Sequence, residues 1–389
     1  MDPLNVFTST GIKYFRHPQM VQGLRHGRPG PQSIQVSPTN VCNLRCVFCS
    51  VDERDRKLVW RPGELVEALT AFRRLGAGTV EFSGGGDPTM YEALPDVVTH
   101  VQRLGFKLGM ITNGLRLREL PPATLKAFTW IRVSIVTLDY YDTLELPQWP
   151  LETTLGMSYV LSQIDYVQAR GGGRWTEKRG RIEAEEWPAT VEERYRATFG
   201  CQRQLTLDAP EQRWGLHEEL RKEYAQLKRV LEFATRVGAR YVRCVPECFT
   251  PESEMGARVH AFWARTIAEL GSPLFFQPKF QTRARVCWMD AVKPWLHSDG
   301  YLYPCNSVSL NTEAHRDFDI RWRLCHWTDI ERYYAERGNS SLAFVSRLCD
   351  RCTFTTNNEV LKRILEANDV EILDALDASN HPIQHGEFV

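Results

Sequence analysis

From Ser33 onward the chain alternates short runs rich in β-formers with longer segments whose apolar residues recur three and four positions apart. That rhythm builds a parallel sheet with helices outside it, because a parallel neighbour is reached only through a crossover. Six strands are predicted: Ser33 to Thr39, Thr79 to Ser83, Lys107 to Thr112, Ile131 to Val136, Tyr241 to Val245 and Leu274 to Pro278. Between them, Leu65, Leu69 and Phe72, then Val97, Val98, Val101 and Leu104, then Leu227, Val230, Leu231 and Phe233 mark apolar helix faces. Gly76, Gly105, Gly238 and Gly271 stand where such helices end. One interval breaks the rhythm. About 80 residues separate the fourth strand from a helix starting near His217, where connections usually run a few residues, so an insertion is expected over about 140–216. It opens on Arg170, Arg174, Lys178, Arg179 and Arg181 around Gly171-Gly172-Gly173, with Glu177 as the one acid, and continues with Glu183, Glu185, Glu186, Glu192 and Glu193. A substrate lid or phosphate-contacting arm is one reading, and a solvated helical excursion the other.

Directly after the first strand comes Cys42-Asn43-Leu44-Arg45-Cys46-Val47-Phe48-Cys49. Three thiolates can hold three corners of a [4Fe-4S] cluster and leave the fourth iron open to an outside ligand. A zinc site or three buried thiols are the alternatives. Zinc would need a fourth Cys or His, and none lies between Pro29 and Gly63 beyond these three.

The CxxxCxxC run resembles the signature of the radical S-adenosylmethionine (radical SAM) superfamily. That resemblance implies a partial (β/α)6 TIM-like barrel of α/β class, whose strand ends form the reactive face. It also implies that S-adenosylmethionine chelates the open iron through its amino and carboxylate groups. An electron from the cluster then breaks the sulfonium C–S bond and yields a 5′-deoxyadenosyl radical. Ser83-Gly84-Gly85-Gly86-Asp87-Pro88, after the second strand, resembles the family's GGE-type motif, whose backbone binds the amino group. Asp87 stands where the family usually has Glu. Thr112-Asn113-Gly114 resembles the family's TNG run, and the fourth strand passes through Arg132-Val133-Ser134. By resemblance, Thr112, Asn113 and Ser134 bind the ribose and carboxylate, and Phe48 packs near the adenine; an ordinary strand-end turn or core side chain is the plain reading of each.

Past the sixth strand, Cys287, Cys305, Cys349 and Cys352 resemble the four ligands of a twitch module, a shortened relative of the SPASM domain that holds one auxiliary [4Fe-4S] cluster. Four such thiolates would serve zinc as readily. The expected organisation is an N-terminal arm over 1–32, irregular and basic and lying against the barrel, then the barrel over 33–280, the auxiliary module over 281–356 and a tail over 357–389. Of the remaining cysteines, Cys244 in the fifth strand and Cys248 beyond its end are candidate hydrogen donors to a substrate radical, against the plainer reading of small apolar fillers. Gln277 and Lys279, at the mouth of the sixth strand, are candidate substrate contacts or simple surface positions.

The 389 residues carry 48 basic and 48 acidic side chains, so no global field steers the chain toward nucleic acid or an anionic membrane. No apolar run approaches the ~18 residues of a membrane span. Eleven cysteines behind Met1-Asp2-Pro3-Leu4, with no charged and apolar leader, suggest cytosolic thiols for metal, hence a cytoplasmic protein, in the host cytoplasm if viral. An external electron donor of the flavodoxin or ferredoxin type is implied by the family. The stretches SIQVSPTNVCNLRCVFCSV and VEFSGGGDPTMY resemble bacteriophage enzymes that rearrange an N-linked glycinyl substituent on a modified thymine to a C-linked one. This makes modified DNA or a nucleotide the leading substrate class. Dehydrogenation or epimerisation of an aminocyclitol or sugar, peptide modification, and a non-enzymatic iron–sulfur scaffold are the other readings.

Overall fold

Seven strands run parallel and pair in chain order: β1 (Ser33–Val36), β2 (Thr79–Phe82), β3 (Lys107–Thr112), β4 (Phe128–Ser134), β5 (Thr154–Leu161), β6 (Tyr241–Pro246) and β7 (Leu274–Phe276). The structure is a computed structural model describing residues 11–46, 48–51, 54–161, 182–200, 216–246, 254–278, 281–311, 320–368, 371–372 and 384–389. Beyond β1 the sheet continues through β8 (Trp295–Leu296), parallel to β1, then β9 (Tyr301–Tyr303) and β10 (Cys325–His326), each antiparallel to the strand before it. β10 and β7 are the two edges. The fold is therefore α/β, as the alternation of elements implied, with an open partial barrel, as the resemblance implied.

The strand count corrects the expectation of six. β5 lies inside the interval read as an insertion, and the chain reaches it through a short 3-10 turn, Ile135–Asp139, rather than a helix. Leu155, Met157, Tyr159 and Leu161 bury against the helices, so by the two-residue period of a strand Gly156 and Ser158 face the barrel lumen. Such a strand reads as weakly apolar. The long connection follows β5, and its described part, residues 182–200, contains the helix Ala189–Phe199, whose Val191, Tyr195 and Phe199 pack into the barrel's apolar layer beside Phe262. The basic run from Arg170 to Arg181 lies outside the described residues, as do Cys201, Cys248 and Lys279.

Small residues let rings fill the lower lumen. A Cβ on Gly109 would stand 2.3 Å from the Trp130 ring, and one on Gly156 would stand 2.2 Å from that of Tyr241. Phe388 meets Trp130 edge-on at 5.3 Å, and the Val389 amide donates to Ser33 Oγ at 3.1 Å, so residues 384–389 sit at the N-terminal ends of the strands. The N-terminal arm is not irregular. It forms a 3-10 turn, Gly11–Arg16, and a helix, Pro18–Arg25, and its Tyr14, Met20, Val21 and Leu24 share an apolar cluster with Trp288, Met289, Leu361 and Ile364. It therefore packs on the C-terminal module more than on the barrel. Among the described residues no helix is long and apolar enough to cross a membrane.

Candidate cluster and cofactor site

The loop carrying Cys42, Cys46 and Cys49 leaves the C-terminal end of β1, with all three thiols half-buried. It is anchored by its neighbours along the sheet. The Gly86 amide donates to Thr39 O at 2.7 Å and the Asp87 amide to Val41 O at 2.9 Å. Gly84 and Gly85 take φ of +80° and +55°, and a Cβ on Gly86 would stand 1.9 Å from Val41 O. The glycines are thus required for the loop after β2 to lie flat on the segment leading into Cys42.

Asp87 is buried and fully engaged. Its carboxylate accepts from the Thr89 amide (2.9 Å) and hydroxyl (2.6 Å), the Thr112 hydroxyl (2.9 and 3.0 Å) and the Asn113 amide (2.6 Å). The Thr112 hydroxyl also accepts from the Gly114 amide. Asp87 and Thr112 therefore tie the loop after β2 to the end of β3, and neither turns a free oxygen toward a ligand. Asn113 does reach the cysteine loop: its Nδ2 donates to Asn43 Oδ1 at 2.7 Å and lies 4.0 Å from Cys42 Sγ. Ser134 ends β4 in the same register as Ser158. Phe48 is half-buried in the turn before Cys49. The expected site residues of β1 to β4 thus gather at one face, the C-terminal ends of four adjacent strands.

One residue here carries no motif and escaped the sequence reading. Arg54 is buried; its Nε donates to Asn40 O at 2.8 Å, and its Nη1 to Val51 O at 2.6 Å and to Cys49 Sγ at 3.5 Å. It closes the cysteine loop and sets a positive charge beside the Cys49 sulfur. Burial pushes the Cys42 thiol up, and burial together with its two neighbouring cysteines pushes Cys46 up, so these two would need a cation beside them to stand as thiolates.

The second set of cysteines converges from three segments. Cys287, Cys305, Cys349 and Cys352 are all buried in one apolar cluster. Asn311 pins two of these segments together: its Nδ2 donates to Ser307 O (2.8 Å) and Arg351 O (3.0 Å) and approaches Cys349 Sγ (3.8 Å), while its Oδ1 accepts from the Arg351 amide. The Phe354 amide donates to Cys352 Sγ at 3.3 Å. Burial, then the nearest cysteine, raises Cys287 and Cys305, the latter to about 12. Among the described residues no three His, Cys, Asp or Glu side chains stand close enough to hold a single metal ion. A cubane, whose thiolates ligate four separate irons, holds its ligands farther apart.

Cys244 departs from expectation. It is fully buried in the layer between sheet and helices, on the face of β6 opposite Arg243, and burial raises its thiol well above the usual range. It cannot meet a substrate in the lumen. Gln277, beyond β7, accepts from Arg243 Nη1 at 3.3 Å.

A family profile described as the radical SAM superfamily matches residues 36–148, which contain the cysteine loop, the glycine loop and the ends of β3 and β4. Residues 36–148 form a radical SAM domain. A radical SAM protein uses a [4Fe-4S] cluster and S-adenosylmethionine, and the donor set at β1 suits the first while the gathered strand ends suit the second. Two curated relatives are similar to this chain over its N-terminal part. The S-adenosylmethionine-dependent nucleotide dehydratase of Thermoplasmatales archaeon (strain ISO4-H5) is 32% identical over 106 residues, covering 27% of this chain and 38% of that protein. The probable GTP 3′,8-cyclase of Thermococcus kodakarensis is 34% identical over 105 residues, covering 26% and 34%. The matched stretch thus spans well under half of either relative. Among solved structures, Streptococcus suis SuiB bound to S-adenosylmethionine aligns with a TM-score of 0.44 at 11% identity, over 81% of this chain and 71% of that one.

Proposed function

We propose that this chain is an enzyme that cleaves S-adenosylmethionine reductively and removes a hydrogen atom from a substrate C–H bond, to rearrange an N-linked glycinyl group on a modified thymine to a C-linked one. The observation that carries the enzymatic reading is the interlocking of Cys42–Cys49, Gly84–Asp87 and Asn113 at the end of the sheet where Ser134 also ends its strand. A scaffold has no need of a cradle for a small amino-acid cofactor. The names of the two curated relatives, a nucleotide dehydratase and a GTP cyclase, support a nucleobase-bearing substrate.

Cys42, Cys46 and Cys49 would hold three irons of the cluster. The Gly84–Gly86 backbone, Asn113, Ser134 and Phe48 would hold S-adenosylmethionine, with Asp87 and Thr112 fixing the loops that carry them. When bound, cluster and cofactor supply a one-electron bond cleavage that gives a carbon-centred radical, and the protein's task is to position the substrate and exclude side reactions. Cys287, Cys305, Cys349 and Cys352 would hold an auxiliary [4Fe-4S] cluster, and a flavodoxin or ferredoxin would deliver the electron.

Anaerobic reconstitution with dithionite and S-adenosylmethionine tests this. Release of 5′-deoxyadenosine, stimulated by DNA or nucleoside bearing N-linked glycinyl thymine, is expected. An intact cluster without release would make the protein a scaffold, and stimulation by an aminocyclitol or a peptide alone would move it to another substrate class.

A further inference from the structure

Above the aromatic rings, the middle layer of the lumen is charged. Glu81 on β2, Arg132 on β4 and Arg243 on β6 point inward, since their neighbours Val80, Phe82, Ile131, Val133, Val242 and Cys244 all bury against the helices. Arg132 pairs with Gly156 and Arg243 with Ser158, so the two guanidiniums flank β5, which at the level of those two pairs bears a glycine and a serine on its lumen side. Arg132 is 8% exposed. Some of their donors are satisfied: Arg132 bonds to the Tyr241 hydroxyl and stacks over Trp130 at 5.6 Å, and Arg243 Nη1 donates to Gln277. The Nε of each is buried without a partner among the described residues. The one acid facing them among the described residues, Glu81, is already taken by Lys293 at 3.1 Å. Burial and the neighbouring Arg132 lower the Arg243 pKa to about 9, only partly offset by Tyr241 and Glu81, so one acid shared with Lys293 does not balance the two guanidiniums.

A buried guanidinium is kept charged only where an anion meets it, and its planar fork suits a two-oxygen acceptor. We infer that Arg132 and Arg243 form a receptor in the barrel lumen for an oxyanion of the substrate, a carboxylate or a phosphate. The inference rests on the proposed function and deepens it. Arg132 lies two residues below Ser134, so an anion held there directs the rest of the molecule up toward the strand ends where the cofactor would sit. The N-linked glycinyl group carries a carboxylate and a nucleotide a phosphate, whereas a cationic aminocyclitol would be repelled.

The test uses the full, cluster-loaded chain with S-adenosylmethionine, under anaerobic calorimetric titration. The probes are N-acetylglycine, its neutral amide N-acetylglycinamide, and inorganic phosphate. Saturable binding of N-acetylglycine or of phosphate is expected, with the preferred anion naming the group, no binding of the amide, and a tenfold or greater weakening in Arg132→Met and in Arg243→Met. The unliganded Met variants should melt no lower than the parent, because each removes a buried cation with no salt bridge among the described residues. Binding of the amide as tightly as the acid, failure of both anions to bind, undiminished binding in the Met variants, or Met variants that melt well below the parent would each overturn the inference. The two readings fail separately: 5′-deoxyadenosine release without anion binding removes the receptor alone, and anion binding without release removes the catalytic reading alone.

Discussion

Arg54 donates to Cys49 Sγ from a buried position, and hydrogen bonds to ligand sulfurs are among the means by which a protein sets a cluster's potential. A cation beside the sulfur favours the reduced, more negative cluster. Arg54→Met should therefore lower the midpoint potential on the order of 60 mV, the one-electron equivalent of about 1.4 kcal/mol, which is the scale of one charge-assisted bond. A redox titration followed by electron paramagnetic resonance reads this directly, and an unchanged potential would reduce Arg54 to a loop fastener. Asp87 makes the second prediction at this scale. Its carboxylate accepts from two amides and two hydroxyls, so Asp87→Ala strands buried donors on both loops and should destabilise the protein by about 2–4 kcal/mol while weakening S-adenosylmethionine binding. Loss of cofactor binding with unchanged stability would instead place Asp87 on the ligand. The position of Asp87 could be read from the glycine run it ends, but its role could not, because the bonds from Thr112 and Asn113, on another loop, are a property of the folded chain. Arg54 was silent for the same reason, since nothing in a lone arginine five residues past Cys49 says that it turns back.

Among the elements, β5 marks where sequence patterning gave out. Its lumen positions are small because Tyr241 fills the space over Gly156, and no helix separates it from β4, so neither hydrophobicity nor spacing announced it. The other parallel strands were legible, since their flanking helices carry strong apolar stripes. β8 to β10 are two or three residues long and take their identity from pairing, with β8 pairing to β1, rather than from any run of their own. What fastens this extension is a buried ion pair. Asp290 accepts from Arg337 Nε at 2.5 Å and Nη2 at 3.1 Å and from the Tyr333 hydroxyl at 2.6 Å, docking the helix Ile330–Glu336 beside Cys287. Removing one partner leaves an uncompensated buried charge, so Arg337→Met should cost about 3–5 kcal/mol in denaturant unfolding. A loss below 1 kcal/mol would mean that this helix is held by its apolar contacts alone.

Across the whole molecule, the N-terminal arm, the barrel and the last described residues meet at the lower end of the lumen. Lys13 is 1% exposed and donates to His385 O at 3.1 Å, and burial, then Lys293, pushes its pKa from 10.5 down to about 7 despite Glu387 and Glu81. Between about 7 and 10.5 the unfolded chain holds a proton on Lys13 that the folded chain has released, so this group adds stability as pH rises through that window. Below about 7 both states are protonated and the buried charge is fully unfavourable. The stability gained by Lys13→Met should accordingly be largest below pH 7 and shrink toward pH 10, as read from melting curves across the range; a gain independent of pH would show that Lys13 is neutral throughout. The opposite end is joined just as closely. Trp295 Nε1 donates to Ser37 Oγ at 2.8 Å and the Ser298 hydroxyl to Asn40 Oδ1 at 2.9 Å, so the C-terminal module braces the segment entering the Cys42 loop. That loop is the centre of the account, and the spectrum of its reduced cluster tests it most directly. Added S-adenosylmethionine should alter the resonance of one reduced [4Fe-4S] signal in the parent protein and leave the Cys46→Ala variant unaffected; a parent spectrum indifferent to S-adenosylmethionine, or the same alteration in the variant, would contradict it.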